Sequence, residues 1–392
     1  MKINKLVYIY LTNFMGYAAI NSAVPLAATL SSHLNIATVS ILKACALGYL
    51  FFAITAIISS INDLIGTKKT LLIANIFSLI GLILMVFSND IISVYISMVL
   101  IGAGCGFYSP TSRTLIKNIT LSNNLLKKRF SIYTMINTIG CTSGVFLGHI
   151  FININYKVLF IIYAIIIAVL LVHFISYDGH YTANNNTSNN DTSFIYKIFS
   201  PIRYCLTNYN FMLNTIAIGF IYALFFFALY VTGSGFLNRI SANVFNLIIP
   251  FYFALLYIIG SSAYMALHHK IGKLKPTLTL GLFILVFSIG IYQFNCYLLD
   301  IILFSITIIL CGILVPLYTS HGSLSLMKYQ GTGSALYVFA ASICTSLYSS
   351  IFSTLHYNKN FMVICYVITG AILILLSIAY RAFQPKTRNL FY

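Results

Sequence analysis

Asn13, Tyr17 and Asn21 stand at i, i+4 and i+8, a spacing that puts three polar but uncharged side chains on one helix face. Tyr222, Phe226 and Tyr230 repeat it, and Lys43 and Asn137 are further polar groups set within apolar runs. Such groups hold a small molecule by hydrogen bonds and aromatic contact; they do not break its bonds. Acid–base or nucleophilic chemistry would need titratable partners, and acids are scarce. The chain has five Asp (Asp63, Asp90, Asp178, Asp191 and Asp300) and no Glu. Its eight Cys are scattered singly without a C-x-x-C pair, and His268-His269 has no carboxylate or Cys beside it. No G-x-x-x-x-G-K-[S/T] loop exists, and Gly102-Ala103-Gly104-Cys105-Gly106 lies inside an apolar run rather than after a strand. These features argue against an enzyme, a metal centre, a cofactor and ATP hydrolysis. They leave eight candidate cavity residues: Asn13, Tyr17, Asn21, Lys43, Asn137, Tyr222, Phe226 and Tyr230.

The elements that position these residues must be helices in lipid. Hydrophobic residues make up 60% of the 392-residue chain and charged residues 7%, against about 45–50% and about 25% in soluble domains. No soluble core hides that much apolar surface. A net charge of +17 would suggest nucleic acid in a soluble protein, but the Lys and Arg lie between apolar runs, so nucleic acid is not the expected partner. The runs fall at 6–30, 37–61, 70–88, 92–116, 131–152 and 157–177, then at 210–233, 244–266, 276–295, 298–320, 332–354 and 361–380. Separate spans in lipid satisfy their backbone groups only as helices. The expected fold is an all-α polytopic membrane protein with twelve transmembrane helices. With the N-terminus inside, nearly all basic residues face the cytoplasm, leaving Lys157, Arg239 and Lys359 opposite, Lys43 within span two and Arg113 at the inner end of span four. Both termini are therefore expected in the cytoplasm, in a multi-pass protein of the cell's inner membrane.

The two sets of runs repeat one another. Ile65-Gly66 and Lys69 recur as Ile271-Gly272 and Lys275, 206 residues later, and Gly106 and Pro110 recur at the same offset as Gly312 and Pro316. The expected organisation is an N-terminal six-helix bundle over 1–177, a cytoplasmic polar linker with an interfacial segment over 178–209, a second six-helix bundle over 210–380, and a cytoplasmic tail over 381–392.

Short motifs sit on this frame. Between spans two and three runs Ser59-Ser60-Ile61-Asn62-Asp63-Leu64-Ile65-Gly66-Thr67-Lys68-Lys69. It resembles the G-x-x-x-D-R-x-G-R-R signature of the major facilitator superfamily, with Asp63 and Gly66 matching and Lys68-Lys69 supplying the basic end. The resemblance implies a gating loop of Asp63, Gly66, Lys68 and Lys69, in which the acid pairs with basic groups to lock helix ends at the inner gate. In span five, Gly140, Gly144 and Gly148 form a stripe that admits a neighbouring helix closely. It resembles the superfamily's fifth-span exporter motif, with Cys141 in place of its Pro. Phe225 through Phe236-Leu237, Gly260-Ser261-Ser262 and Gly331-Thr332-Gly333-Ser334-Ala335-Leu336 resemble segments of the Bcr/CflA drug exporters.

Departures cluster where that branch places its charged groups. Asn21-Ser22-Ala23-Val24-Pro25 stands in place of D-x-x-L-P, and Met98 and Asn118 fall where an Arg and an acid are expected. What the resemblance implies is a monomeric secondary transporter of the major facilitator fold, working by alternating access and exporting a small amphipathic drug-like molecule or metabolite. The neutral, aromatic set of cavity residues suits an uncharged or weakly charged substrate. The missing acids argue against protons as the coupling ion and favour the alternative, a facilitator or uptake carrier of a small metabolite. A polytopic membrane enzyme or scaffold is the third reading, opposed by the repeat and the Asp63 loop.

Overall fold

The computed structural model describes residues 5–152, 154–176, 194–237, 242–268, 281, 283–284, 297–326, 328–354 and 359–382. Nearly all of the expected ninth run, the first half of the linker (178–193) and most of the tail lie outside them. All regular secondary structure among the described residues is helical, as the composition requires. In the first half these are α1 (Lys5–Ser22), α2 (Ala27–Leu34), α3 (Thr38–Ile58), α4 (Asn62–Ile65), α5 (Thr67–Val86), α6 (Ile91–Asn118), α7 (Asn123–Phe151) and α8 (Tyr156–Ser176). The second half carries α9 (Phe194–Thr207), α10 (Tyr209–Leu237), α11 (Ala242–Leu267), α12 (Tyr297–Ser325), α13 (Gln330–Thr354) and α14 (Lys359–Ala382). Buried apolar side chains gather in two clusters, one running from Tyr8 to Phe174 and the other from Cys205 to Leu373.

Three boundaries differ from the expected runs. The run at 6–30 is two helices, because the chain turns at 23–26 around Pro25, which has no N–H to continue α1. α2 then ends on Asn35 in the left-handed conformation (φ 54°), a residue type that tolerates it. The fifth span starts at Asn123 rather than 131, so Lys127, Lys128 and Arg129 are helical and not in a loop. Arg129 explains part of this: its Nη1 donates to the Ile119 carbonyl (2.9 Å) and to Thr120 Oγ1 (2.7 Å), closing the end of α6. The run at 37–61 is α3, a 3₁₀ turn over Ser59–Ile61 and the single turn α4, stopped by Gly66 at φ 87°. Only glycine takes that conformation without strain.

Glycines set how closely the helices approach. A Cβ on Gly144 of α7 would lie 2.3 Å from the Ala18 carbonyl oxygen of α1. The repeated landmarks make equivalent contacts. A Cβ on Gly106 of α6 would meet the Phe52 carbonyl oxygen of α3 at 2.4 Å, and one on Gly312 of α12 would meet the Tyr257 carbonyl oxygen of α11 at 2.5 Å.

Because the obstacle at Gly144 is backbone, no side-chain rearrangement relieves it. Gly144→Leu should therefore separate α1 from α7 and cost at least ~1–3 kcal/mol, the usual range for overpacking. Yield and thermal unfolding of detergent-purified protein measure it; wild-type values for both would show that the seam tolerates a side chain.

Candidate functional site

A hydrogen-bonded cluster joins α1, α6 and α7. Asn13, 1% exposed, donates through Nδ2 to the Ile9 carbonyl (2.8 Å) and to Ser112 Oγ. The Tyr133 hydroxyl lies 3.1 Å from Asn13 Oδ1 and 3.1 Å from the Ser109 carbonyl oxygen. Tyr17 donates to Ser109 Oγ (3.3 Å). Asn21 donates to the Tyr17 carbonyl (2.7 Å) and accepts from the Tyr49 hydroxyl (2.9 Å). The polar face of α1 thus reaches α6 and α7 at its first residue and α3 at its last. Asn13 is spent on bonds between helices, whereas Tyr17 and Asn21 are only partly buried.

The other expected cavity residues divide. Tyr222 on α10 shares electrostatic contact with Tyr17 across the two halves. Asn137, 6% exposed, stands one turn from Tyr133 on α7, and neither end of its amide has a hydrogen-bond partner. Lys43 is exposed on α3, on the same face as the exposed Leu50 and Ile54 and away from Gly48, which packs on Met98. The side chains of Phe226 and Tyr230 lie outside the described residues.

Arg113 was read from the sequence as a topology residue, and the structure buries it. It is 3% exposed on α6, its guanidinium carbon lies 5.7 Å from the centroid of the Tyr133 ring, and its Nε and Nη1 have no hydrogen-bond partner. Tyr17, Tyr133 and Tyr222 are its electrostatic neighbours. The neutral character expected of the cavity residues leaves this cation out. The available signal was its position inside an apolar run, where an ionisable side chain is a functional candidate by default.

A second group of contacts ties the halves together at the end of the bundles where α4 lies. The Asp63 carboxylate accepts from the Gly331 N–H (2.9 Å), the Thr332 N–H (2.8 Å) and the Thr332 hydroxyl (2.7 Å). These donors form the first turn of α13, where N–H groups lack intrahelical partners and the helix dipole is positive. The expectation that Asp63 pairs with basic groups is corrected: Lys68 and Lys69 are exposed, and backbone amides of the other half take their place. Burial pushes the Asp63 carboxyl above its ordinary range, and the donors from Thr332 and Gly331 hold it back. Gly331 is required for the approach, since a Cβ there would sit 2.8 Å from Asp63 Oδ1. On the same seam Lys117 Nζ donates to the Ser323 carbonyl and, at 2.8 Å, to the Leu326 carbonyl, where α12 ends. The Gly331-Thr332 start of span eleven stood out in the sequence, but nothing local paired it with Asp63.

The sequence profile of the Major Facilitator Superfamily matches residues 6–349. No curated protein matches the chain. Among solved structures, the major facilitator transporter FucP in the outward conformation aligns with a TM-score of 0.70 and 13% identity, over 95% of this chain and 99% of that one. The human organic anion transporter MFSD10 (TETRAN) aligns at 0.71 and 13%, over 95% and 98%. The proton:xylose symporter XylE, bound to 6-bromo-6-deoxy-D-glucose, aligns at 0.66 and 13%, over 97% and 96%. At these identities the likeness to solved structures is one of fold.

Asp63→Asn keeps the shape but replaces one acceptor oxygen with an amide donor facing donors. It should leave the protein folded and weaken the seam by ~1.5–3 kcal/mol, the range for hydrogen bonds to a charged group. Gly331→Val should do the same from the other side. Cys205 of α9 is fully buried and electrostatically coupled to Asp63, so both variants should speed its alkylation, followed by site-resolved mass spectrometry. Wild-type labelling rates in both would show that Asp63 does not hold the ends together.

Proposed function

The chain belongs to the major facilitator superfamily, and on that premise we propose that it is a secondary transporter that exports a small amphipathic organic molecule by alternating access. The observation that carries the reading is the Asp63 contact with α13, which joins the two halves through hydrogen bonds to one helix end. A contact of that kind has two discrete states, made and broken, as an alternating gate requires. Tyr17 of the first half and Tyr222 of the second share electrostatic contact, which supports a substrate site between the halves, where carriers of this design bind. The solved neighbours include a fucose:proton symporter, an organic anion transporter and a proton:xylose symporter. All are small organic solutes.

In this reading the protein spans the cell's inner membrane, the Asp63 end is the cytoplasmic one, as the basic loops predict, both termini lie in the cytoplasm, and the protein works as a monomer. The short motifs of spans seven, eight and eleven support the Bcr/CflA branch and hence export of drug-like molecules. One observation favours a second reading, facilitated flow or uptake of a metabolite. The sequence has no Glu, and none of its five Asp falls at the middle of an apolar run. Proton coupling commonly uses a buried carboxylate that alternates between ionised and neutral forms. Asn21 stands where such a group would serve, and it cannot titrate.

The test is flux in vesicles reconstituted with purified protein, using a panel of small amphipathic solutes, with and without a pH gradient. Transport should run down the solute's own gradient and resist protonophores, and Asn21→Asp should add a pH dependence that the wild type lacks. Concentrative wild-type transport that collapses with the pH gradient would refute uncoupled movement. Absence of flux for every solute would refute the transport reading.

A further inference from the structure

Arg113 has a cost that the fold offsets only in part, through the Tyr133 ring and the neighbouring phenols. A guanidinium taken out of water needs a counter-charge and partners for its N–H groups, or it is among the most expensive groups to bury. Here Nε and Nη1 have neither. The chain's own acids do not serve. Asp63 is bound to α13, and Asp90 caps α6 through the Ser93 N–H (2.7 Å). Asp178 and Asp191 belong to the linker, and Asp300 is in the first turn of α12, far along that helix from Pro316. The groups that do sense Arg113 are phenols: Tyr17, Tyr133 and Tyr222, with Tyr257 and Tyr337 beyond them. They come from α1, α7, α10, α11 and α13, so both halves converge on this cation. One turn on, Lys117 adds a second positive charge, but its ammonium is already held by the carbonyls that end α12. The amide of Asn137, one turn from Tyr133, is the other buried polar group of this region with both atoms unpaired.

Each bidentate edge of a guanidinium, Nε with Nη2 or Nη1 with Nη2, presents two N–H donors to one oxyanion, and each edge of Arg113 includes one of its unpaired nitrogens. Phenol hydroxyls can donate to the same oxyanion, and aromatic faces accept an apolar body beside it. We propose that Arg113 is the docking point for the oxyanion of the transported molecule, an organic monoanion carrying one carboxylate or phosphate-type group on an apolar body, with Asn137 and the surrounding tyrosines completing the site. The proposal rests on the transport reading and narrows its substrate from weakly charged to anionic. A single charge is inferred because Arg113 is the only cation here without carbonyl partners among the described residues.

The test compares 4-phenylbutyrate, phenylphosphonate and the neutral isostere 4-phenylbutyramide by thermal unfolding of detergent-purified wild type, Arg113→Gln and Arg113→Lys. In the wild type, at least one of the two anions should raise the melting temperature in a saturable way and the amide should not. Whichever anion acts identifies the oxyanion class. Arg113→Gln should weaken that anion about tenfold or more, while its unliganded melting temperature holds or rises because an uncompensated charge has gone. Arg113→Lys should retain part of the effect. Equal shifts by acid and amide, or no shift by either anion, in the wild type would overturn the proposal, and that arm decides the matter even if Arg113→Gln does not fold. An anion shift undiminished in Arg113→Gln would overturn it as well. Failure here with solute flux intact in vesicles strikes the anion site alone; an Arg113-dependent shift without any flux strikes the transport reading alone.

Discussion

Every helix ends in unpaired backbone groups, and in this chain those ends do the work that acidic side chains do elsewhere. With no Glu and five Asp against 22 Lys and Arg, cations cannot generally find carboxylates. They find carbonyls instead. Arg129 closes the end of α6, and Lys117 closes the end of α12 from across the seam. The few acids are placed where one charge satisfies several N–H groups: Asp90 at the start of α6, Asp63 at the start of α13. The helix dipole favours both placements, base at the C-terminus and acid at the N-terminus. Against that pattern Arg113 stands out, because its Nε and Nη1 have no hydrogen-bond partner although Lys117, one turn on, reaches the end of α12.

Close packing supplies the rest of the frame. Where α3 meets α6 and α11 meets α12, paired glycines let backbone touch backbone, and the polar groups exposed by the approach are answered locally. Thr55 donates to the Ala103 carbonyl (3.1 Å), and Ser261 donates to the Gly312 carbonyl (2.9 Å). Ser131 of α7 donates in turn to the Ser261 carbonyl (2.7 Å), carrying the chain of hydrogen bonds from one half to the other. Without glycine at these points the helices would stand farther apart and each of those hydroxyls would face lipid or a void.

Sequence period and composition made the helices legible because lipid allows separate spans no other structure. The repeat was legible because its glycines keep the same neighbours in both halves, Gly106 on α3 and Gly312 on α11. The loop from Asp63 to Gly66 was legible as a motif, and its partner was not. Asp63 and Thr332 are separated by most of the chain, and the donors are backbone amides, which carry no residue-type signal. Pro25 was visible, but whether it kinks a helix or divides it depends on what packs around the turn. The burial of Arg113 was hidden for a different reason. A basic residue near the end of a span ordinarily reaches the interface, and the packing of α1, α7 and α13 against α6 prevents it here.

Among the described residues the seam between the halves rests on few polar contacts, and their magnitudes bear on how strongly it is held. Each hydrogen bond to a charged group contributes on the order of 1.5–3 kcal/mol net, so the Asp63 and Lys117 contacts together hold the closed end by several kcal/mol. Turning such a two-state seam from mostly closed to mostly open takes about 5.5 kcal/mol of difference in ligand affinity. Hydrophobic contact changes little when two apolar faces slide within lipid, so it is a poor source for that difference. A group whose pairing changes between the states is a better one. Arg113 lies among residues of both halves, and any rocking of one half on the other alters what surrounds it. On the transport reading, movement at the seam and occupancy of the proposed Arg113 site are coupled through a single charge, which links the Asp63 contact to the polar cluster of α1, α6 and α7.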